Sequence, residues 1–176
     1  MLVIGRHISV FTRQCIAVHF CLTFHRILSR LHRFLHIPDA AHTILGTRNL
    51  GSNVRCLGIC LGMQMLFEKG EEFEPTEGLG LFQGTVKKMN PCDGLDRSTL
   101  PLPHMGWNQL ISKREEDEIF NGIDQYFVHS YSAKDVDQSV IMHSSCYGNE
   151  TIVASIRTKK TCGFQFHPER SGENGL

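Results

Sequence analysis

Long apolar runs, paired cysteines and an excess of one charge are all missing from this sequence. No apolar stretch reaches the roughly 18 residues of a membrane-spanning helix. Basic and acidic residues number 18 each, so the net charge is zero and nucleic acid is not expected as a partner. Internal repeats and low-complexity tracts are absent as well. The 176 residues are enough for one domain with a substantial core.

The cysteines argue against a disulfide framework. They number seven, which is odd, and none forms a Cys-x-x-Cys pair. A reducing cytoplasm therefore suits the chain better than a secretory compartment. Cys15, Cys21, His25 and His32 do not have the spacing of a standard zinc site. We expect neither a metal nor a cofactor.

Charge is unevenly distributed along the chain. Residues 1–50 contain six arginines, no lysine, six of the ten histidines and one acidic residue, Asp39. This composition is also typical of an organelle transit peptide, although serine is scarce. Apolar residues recur at helical spacing from Gln14 to Ile37, which predicts an amphipathic helix ended by Pro38. This helix could pack on the core of the protein, or it could lie on a membrane surface.

One cysteine differs from the others because glycines flank it. Cys60 follows a short apolar run from Arg55 that predicts a buried strand, and it precedes a helical pattern from Met63 to Lys69. Gly-x-Cys-x-Gly between a strand and a helix is the thiol form of the nucleophile elbow, where small neighbours allow a sharp reversal. A helix N-terminus also favours a thiolate. Taken alone, a cysteine in an apolar run is more often a small buried apolar side chain than a nucleophile.

A second candidate lies far downstream. His167-Pro168-Glu169 follows an alternating strand predicted from Cys162 to Phe166. A His-x-Glu segment can supply a general base and the carboxylate that orients it, whereas the isolated motif could be a simple turn. In combination with the elbow, it predicts a catalytic triad of Cys60, His167 and Glu169.

The rest of the chain has the pattern of strands joined by polar turns. A turn-rich segment is predicted from Thr47 to Asn53, an acidic loop from Gly70 to Glu77 and a polar loop from Pro91 to Pro103. The further strands are predicted from Gly80 to Met89, Tyr126 to Tyr131, Ser139 to Tyr147 and Ile152 to Arg157.

These motifs resemble the class I (triad) glutamine amidotransferases, and among them the family of glutaminase subunits of imidazole glycerol phosphate synthase, which acts in histidine biosynthesis. The resemblance covers residues 56–172. It rests on segments 58–67, 78–81, 101–108, 126–131 and 163–172, of which Pro-His-Met-Gly-Trp-Asn is the most distinctive and argues against an amidotransferase that serves another synthase.

The resemblance implies an α/β fold with a flavodoxin-like central sheet flanked by helices. It also implies that Cys60 attacks the side-chain amide of glutamine and that the backbone N–H of Leu61 stabilises the oxyanion. The residues implied to bind glutamine are Gln64 and, at its amino-acid end, His129, Ser130 and Tyr131.

A protein partner is implied by the same resemblance. Ammonia would pass, shielded from solvent, to a cyclase subunit with a (β/α)8 barrel, which makes imidazole glycerol phosphate and AICAR. The two subunits would form a cytoplasmic heterodimer without nucleic acid or membrane. The residues implied to face the cyclase are His104, Met105, Trp107 and Asn108.

The first fifty residues depart from the family pattern. The N-terminal strand–helix–strand and the Pro-Gly-x-Gly loop that supplies a second oxyanion donor are not recognisable there, and the closing helix expected after Glu169 is missing. We therefore expect a non-matching basic head over residues 1–50, read in another frame or from a mispredicted start, and a partial amidotransferase domain over residues 51–176. The alternative function is a catalytically impaired interaction module that retains only the partner-facing surface.

Overall fold

The structure is a computed structural model, and it describes residues 15–20 and 55–175. Helical segments are short: α1 is Leu61–Gln64, and 3-10 turns lie at Glu115–Phe120, Gln138–Val140, Pro168–Arg170 and Gly172–Gly175. The strands are β1 (Cys15–Phe20), β2 (Arg55–Cys60), β3 (Phe67–Gly70), β4 (Thr76–Glu77), β5 (Phe82–Lys88), β6 (His104–Gln109), β7 (Ile111–Ser112), β8 (Asp124–His129), β9 (Tyr131–Lys134), β10 (Ile141–Tyr147), β11 (Glu150–Arg157) and β12 (Thr161–Phe164).

A six-stranded mixed sheet organises the molecule, in the order β1-β2-β12-β11-β10-β7. β2 is parallel to both β1 and β12, whereas β11, β10 and β7 continue antiparallel. Ile59 of β2 pairs with Phe164 of β12. Parallel strands end at the same edge of a sheet, so the segment after β12 arrives beside Cys60. Ligand sites of mixed α/β sheets form at such edges.

Two further sheets complete the described part of the chain. β4-β3-β5-β9 forms a four-stranded sheet, and β6 pairs antiparallel with β8. One core cluster includes Met63, Leu66 and Phe67 of the elbow segment. A second cluster surrounds Phe127 and Phe166. Burying a side chain of this size contributes about 1.5–3 kcal/mol, so these clusters hold the elbow and the β12 edge in place.

The helix predicted from Gln14 to Ile37 is wrong at Cys15–Phe20, which forms a strand. The β-branched Ile16 and Val18 suit a strand, and pairing with β2 overrides the helical spacing of the apolar residues. The remainder of that prediction and the turn predicted at Thr47 lie outside the described residues.

The helix predicted from Met63 to Lys69 is also wrong in extent. The helix ends at Gln64, and Phe67 begins β3, where it pairs with Phe82 of β5. A short apolar run fits the period of a helix and that of a strand equally well. Here pairing with the parallel strand β5 favours the strand. The later predicted strands are confirmed within a few residues as β5, β8, β10, β11 and β12. Within residues 15–20 and 55–175, no helix has the length and hydropathy to cross a membrane.

Candidate active site

Cys60 occupies a strained turn between β2 and α1. Its backbone has φ 53° and ψ −112°, a region that costs a residue other than glycine on the order of 1–3 kcal/mol. Gly58 lies so close to the next turn of chain that an added Cβ would stand 2.5 Å from the carbonyl oxygen of Gly62. The geometry is that of a nucleophile elbow, as the glycine spacing predicts.

The 3-10 turn after β12 brings a carboxylate back to the imidazole. Nδ1 of His167 lies 2.7 Å from Oε1 of Glu169, with Pro168 at the start of the turn. The backbone N–H of His167 donates to the Tyr126 carbonyl at 2.8 Å, and the Ser171 hydroxyl donates to the His167 carbonyl at 2.7 Å. These bonds hold the ring in one orientation.

The thiol and the imidazole act on each other. Burial lowers the pKa of His167, but hydrogen bonds to the side chains of Cys60 and Glu169, together with their negative charges, raise that pKa to about 9. Cys60 is buried, and its sulfur lies 3.8 Å from the Val128 carbonyl oxygen. An imidazole hydrogen-bonded to a cysteine side chain is the arrangement of a cysteine nucleophile and its base.

One glutamine side chain lies near the sulfur, and a second glutamine bonds to the first. Nε2 of Gln64 is 3.0 Å from the Tyr131 carbonyl oxygen and 3.1 Å from Oε1 of Gln165. Nε2 of Gln165 lies 3.9 Å from the sulfur of Cys60. Gln165 is fully buried, and sequence reasoning assigned it no role. A polar residue between two phenylalanines at the end of an alternating strand was the available signal.

The three residues of the predicted glutamine-binding segment, 129–131, make different contacts. The carbonyl of Tyr131 contacts Gln64, whereas Ser130 accepts a hydrogen bond from the Met89 N–H at 3.0 Å through its own carbonyl. The ring of His129 is buried, with Nδ1 2.8 Å from the Tyr131 carbonyl oxygen and Nε2 3.2 Å from Nδ1 of His104. Both ring nitrogens are therefore engaged inside the protein, and a direct contact between this ring and a substrate would require rearrangement.

The residues predicted to face a partner lie on two opposite faces of strand β6. Met105 and Trp107 point outward and are 62% and 51% exposed, whereas His104 is 1% exposed. Asn108 is partly buried and donates to the Cys146 carbonyl. Successive residues of a strand face opposite sides, and β6 packs its His104 side on the core. In this structure His104 does not reach the surface that Met105 and Trp107 form.

A cavity opens beside the elbow. Leu61 and Gln64 line one side of it, and Glu72 and Glu77, from the acidic loop, line another. Leu61 is the first residue of α1, and an N–H in the first turn of a helix has no acceptor within that helix. Apolar side chains such as Met65 and Val86 complete the lining, and Cys60 and His167 are not among the lining residues. Glu72 was not among the predicted site residues.

Comparisons with known proteins agree with this geometry. Residues 36–175 match the family described as glutamine amidotransferase class-I. Imidazole glycerol phosphate synthase subunit HisH of Pyrococcus furiosus is 44% identical over 124 residues, which cover 68% of this chain and 59% of that protein. The subunit of the same name from Sulfurimonas denitrificans is 44% identical over 124 residues, 68% of this chain and 58% of that protein. The chain thus spans about three fifths of the length of these relatives.

The fold has a solved counterpart. A crystal structure described as a glutamine amidotransferase aligns with a TM-score of 0.55 at 15% identity, covering 92% of this chain and 74% of that one. At this identity the likeness shows the fold alone, and it confirms the expected α/β class. Because the family match extends over most of the chain, we conclude that the protein belongs to the class I glutamine amidotransferases.

Proposed function

We propose that this chain hydrolyses the side-chain amide of glutamine through Cys60, His167 and Glu169. The sulfur of Cys60 forms a bond to the amide carbon, and the carbon–nitrogen bond breaks as protonated His167 transfers its proton to the departing ammonia. Water then attacks the glutamyl thioester with His167 as base, releasing glutamate and the thiol. Glu169 keeps the imidazole in the productive tautomer. The observation that carries the proposal is the hydrogen bonding of His167 to two side chains. One is Cys60 at the elbow, and the other is Glu169, whose Oε1 lies 2.7 Å from Nδ1 of the ring.

The cavity beside the elbow is the proposed glutamine site. The carboxylates of Glu72 and Glu77 line it and suit the ammonium group at the amino-acid end. Ser130 and Tyr131 are not among its lining residues, and their contact with the same end of glutamine is proposed from the family resemblance alone. Gln64 would contact the substrate, and the N–H of Leu61 would stabilise the oxyanion.

Delivery of ammonia to a cyclase is the proposed purpose of the hydrolysis. The relatives are named as subunits of imidazole glycerol phosphate synthase, which supports a partner subunit. We propose that this partner is a (β/α)8-barrel cyclase that makes imidazole glycerol phosphate and AICAR, and that the two form a cytoplasmic heterodimer. Met105 and Trp107 form an exposed apolar surface of the kind that anchors protein partners. We propose this surface as the cyclase contact, and the alternation along β6 places Asn108 on the other face, with His104.

Glutamate release by the purified chain with a cyclase tests the proposal. Cys60→Ala should abolish release, by at least the ~10³-fold typical of losing a nucleophile. Cys56→Ala is the matched control, because Cys56 is equally buried on the same strand and four residues away. A diazoketone analogue of glutamine should alkylate Cys60 alone. Full activity of Cys60→Ala would refute the proposal.

The second candidate function is an interaction module with impaired catalysis. It is favoured by one observation: no Pro-Gly-x-Gly precedes Cys60, and an oxyanion donor contributes about 10²–10³ in rate. We propose that residues 51–176 carry the family motifs and that residues 1–50 form a head without them, although the family match itself begins at residue 36. A chimera that replaces this head with a family-like one bearing Pro-Gly-x-Gly should gain ammonia-dependent cyclisation. Equal turnover by both proteins would contradict this division.

A further inference from the structure

The carbonyl of Tyr131 determines the direction of the hydrogen bonds around it. A carbonyl oxygen only accepts, so Nε2 of Gln64, at 3.0 Å, and Nδ1 of His129, at 2.8 Å, must both donate to it. Burial lowers the pKa of His129 to about 3, so this imidazole is neutral. With its proton on Nδ1, the ring presents a lone pair on Nε2.

That lone pair faces a second buried imidazole. Nδ1 of His104 lies 3.2 Å from Nε2 of His129 and must therefore donate. The His104 ring is stacked against Phe127 and Tyr147, with centroid separations of 5.2 and 4.1 Å. Burial also lowers the pKa of His104. The two neutral rings thus form a chain of hydrogen bonds in which His104 of β6 donates to His129 and His129 donates to the Tyr131 carbonyl.

On the other side of the Tyr131 carbonyl, a second series of hydrogen bonds runs through Gln64 and Gln165 to Cys60. Because Nε2 of Gln64 donates to Tyr131 and to Oε1 of Gln165, both of its hydrogens are used inside the protein. Oε1 of Gln64 is then the amide atom left for the cavity that this residue lines. Gln165 accepts through its oxygen, so its Nε2 faces the sulfur of Cys60 at 3.9 Å.

We infer that Gln165 is a positioning residue, which holds the Gln64 amide with its oxygen available to the substrate and aims an amide N–H at the Cys60 sulfur, and that His104 and His129 position the Tyr131 carbonyl to which Gln64 donates. The inference rests on the proposed glutaminase function. Chain segments more than a hundred residues apart contribute to this relay, and every direction in it follows from one backbone carbonyl. An N–H aimed at the sulfur stabilises negative charge there.

The relay has a spectroscopic signature that is independent of activity. In the full chain labelled with ¹⁵N-histidine near neutral pH, the ring resonances of His104 and His129 should both report the neutral form protonated on Nδ1. A protonated His129 ring, or a His129 ring protonated on Nε2 alone, would overturn the relay whatever the chain's function proves to be.

Alkylation rates test the consequence for the site. His104→Phe keeps an aromatic ring between Phe127 and Tyr147 but removes the donor to His129. It should slow alkylation of Cys60 by the diazoketone analogue of glutamine about 3- to 10-fold, as for one ordinary hydrogen bond, and leave alkylation by iodoacetamide unchanged. His104→Gln supplies an amide N–H and should restore most of the analogue rate.

Gln165→Glu tests the inner end of the relay, and His143→Phe is the matched control. A carboxylate cannot donate to the sulfur, so Gln165→Glu should slow alkylation by both reagents. His143 is equally buried and bonds to Ser155, outside the relay, so its replacement should leave both rates unchanged. Equal slowing by His104→Phe and His143→Phe, or wild-type rates in Gln165→Glu, would overturn the inference. If the analogue fails to label the wild-type chain, the proposed function fails, while the ring resonances still decide the relay.

Discussion

Gly58 lies directly against the backbone of Gly62 at the elbow. A Cβ at position 58 would stand 2.5 Å from the Gly62 carbonyl oxygen and 2.7 Å from the nitrogen of Met63, closer than real Cβ atoms approach other atoms. The close approach of two chain segments therefore requires glycine at this position. The strained φ belongs to Cys60 instead.

Gly58→Ala should destabilise the protein by about 1–3 kcal/mol, the usual cost of inserting a methyl group where no space exists. Displacement of α1 would also misplace Cys60. Gly94→Ala is the matched control, because nothing lies within 4 Å of a Cβ at Gly94. Chemical denaturation measures both changes, and equal free energies of unfolding for the two variants would contradict the close approach.

His167 and Glu169 should act with Cys60 as one unit. His167→Ala should remove most glutaminase activity, and Glu169→Gln less, because the ring remains but loses its orienting charge. The double variant Cys60→Ala/His167→Ala should be little worse than Cys60→Ala alone. Steady-state glutamate release with a cyclase measures these losses. Additive losses would mean that the residues do not share one mechanism.

Stability should be greatest near neutral pH, because buried histidines shift in opposite directions. Burial lowers the pKa of His104, His129 and His143 below the ordinary 6.5, so the unfolded chain binds more protons in acid. The free energy of unfolding should therefore fall as the pH drops below 6.5. The pKa of His167 is raised to about 9, so its stabilisation is complete below 6.5 and is lost as the pH rises through 9.

Denaturation across this pH range measures both limbs. His143→Gln should flatten the acid limb, since the variant loses one of the three groups that take up a proton on unfolding. Glu169→Gln should flatten the alkaline limb, because Glu169 helps to hold the proton on His167. A stability that rises steadily from pH 6.5 to 9 would show that His167 is not held protonated.

Trp107→Ala should weaken binding to the cyclase by at least about 2 kcal/mol, the scale of an interface hot spot. The indole is 51% exposed and contacts Tyr126 edge-on at a centroid distance of 5.8 Å, so the fold should lose little. Ile119→Ala removes another exposed apolar side chain, in the turn Glu115–Phe120 and outside β6, and should leave binding unchanged. Titration calorimetry with the cyclase compares them. Equal affinities for both variants would place the contact elsewhere.

The local parts of the candidate site could be predicted from the sequence. Two glycines around Cys60 predict the elbow, because a side chain at Gly58 would clash with the backbone of Gly62. His167 and Glu169 are two residues apart, and the intervening proline favours the turn that brings Nδ1 and the carboxylate together. The alternating strands after residue 80 were equally readable, since a period of two is a local property.

The long-range parts were decided by the tertiary structure. The apolar run after Cys60 fits a helix, yet Phe67 joins a strand because Phe82 is available to pair with it. Gln64 meets Gln165 across 101 residues of sequence, and His104 meets His129 across 25. No local pattern states which side of a strand will pack on the core, and that choice turned His104 inward while Trp107 stayed exposed. The sequence by itself determined the turn at Cys60 and the turn that joins His167 to Glu169, because neighbours in the chain impose both. The packing of distant strands decided which polar groups lie near the sulfur, because hydrogen bonds follow proximity in space.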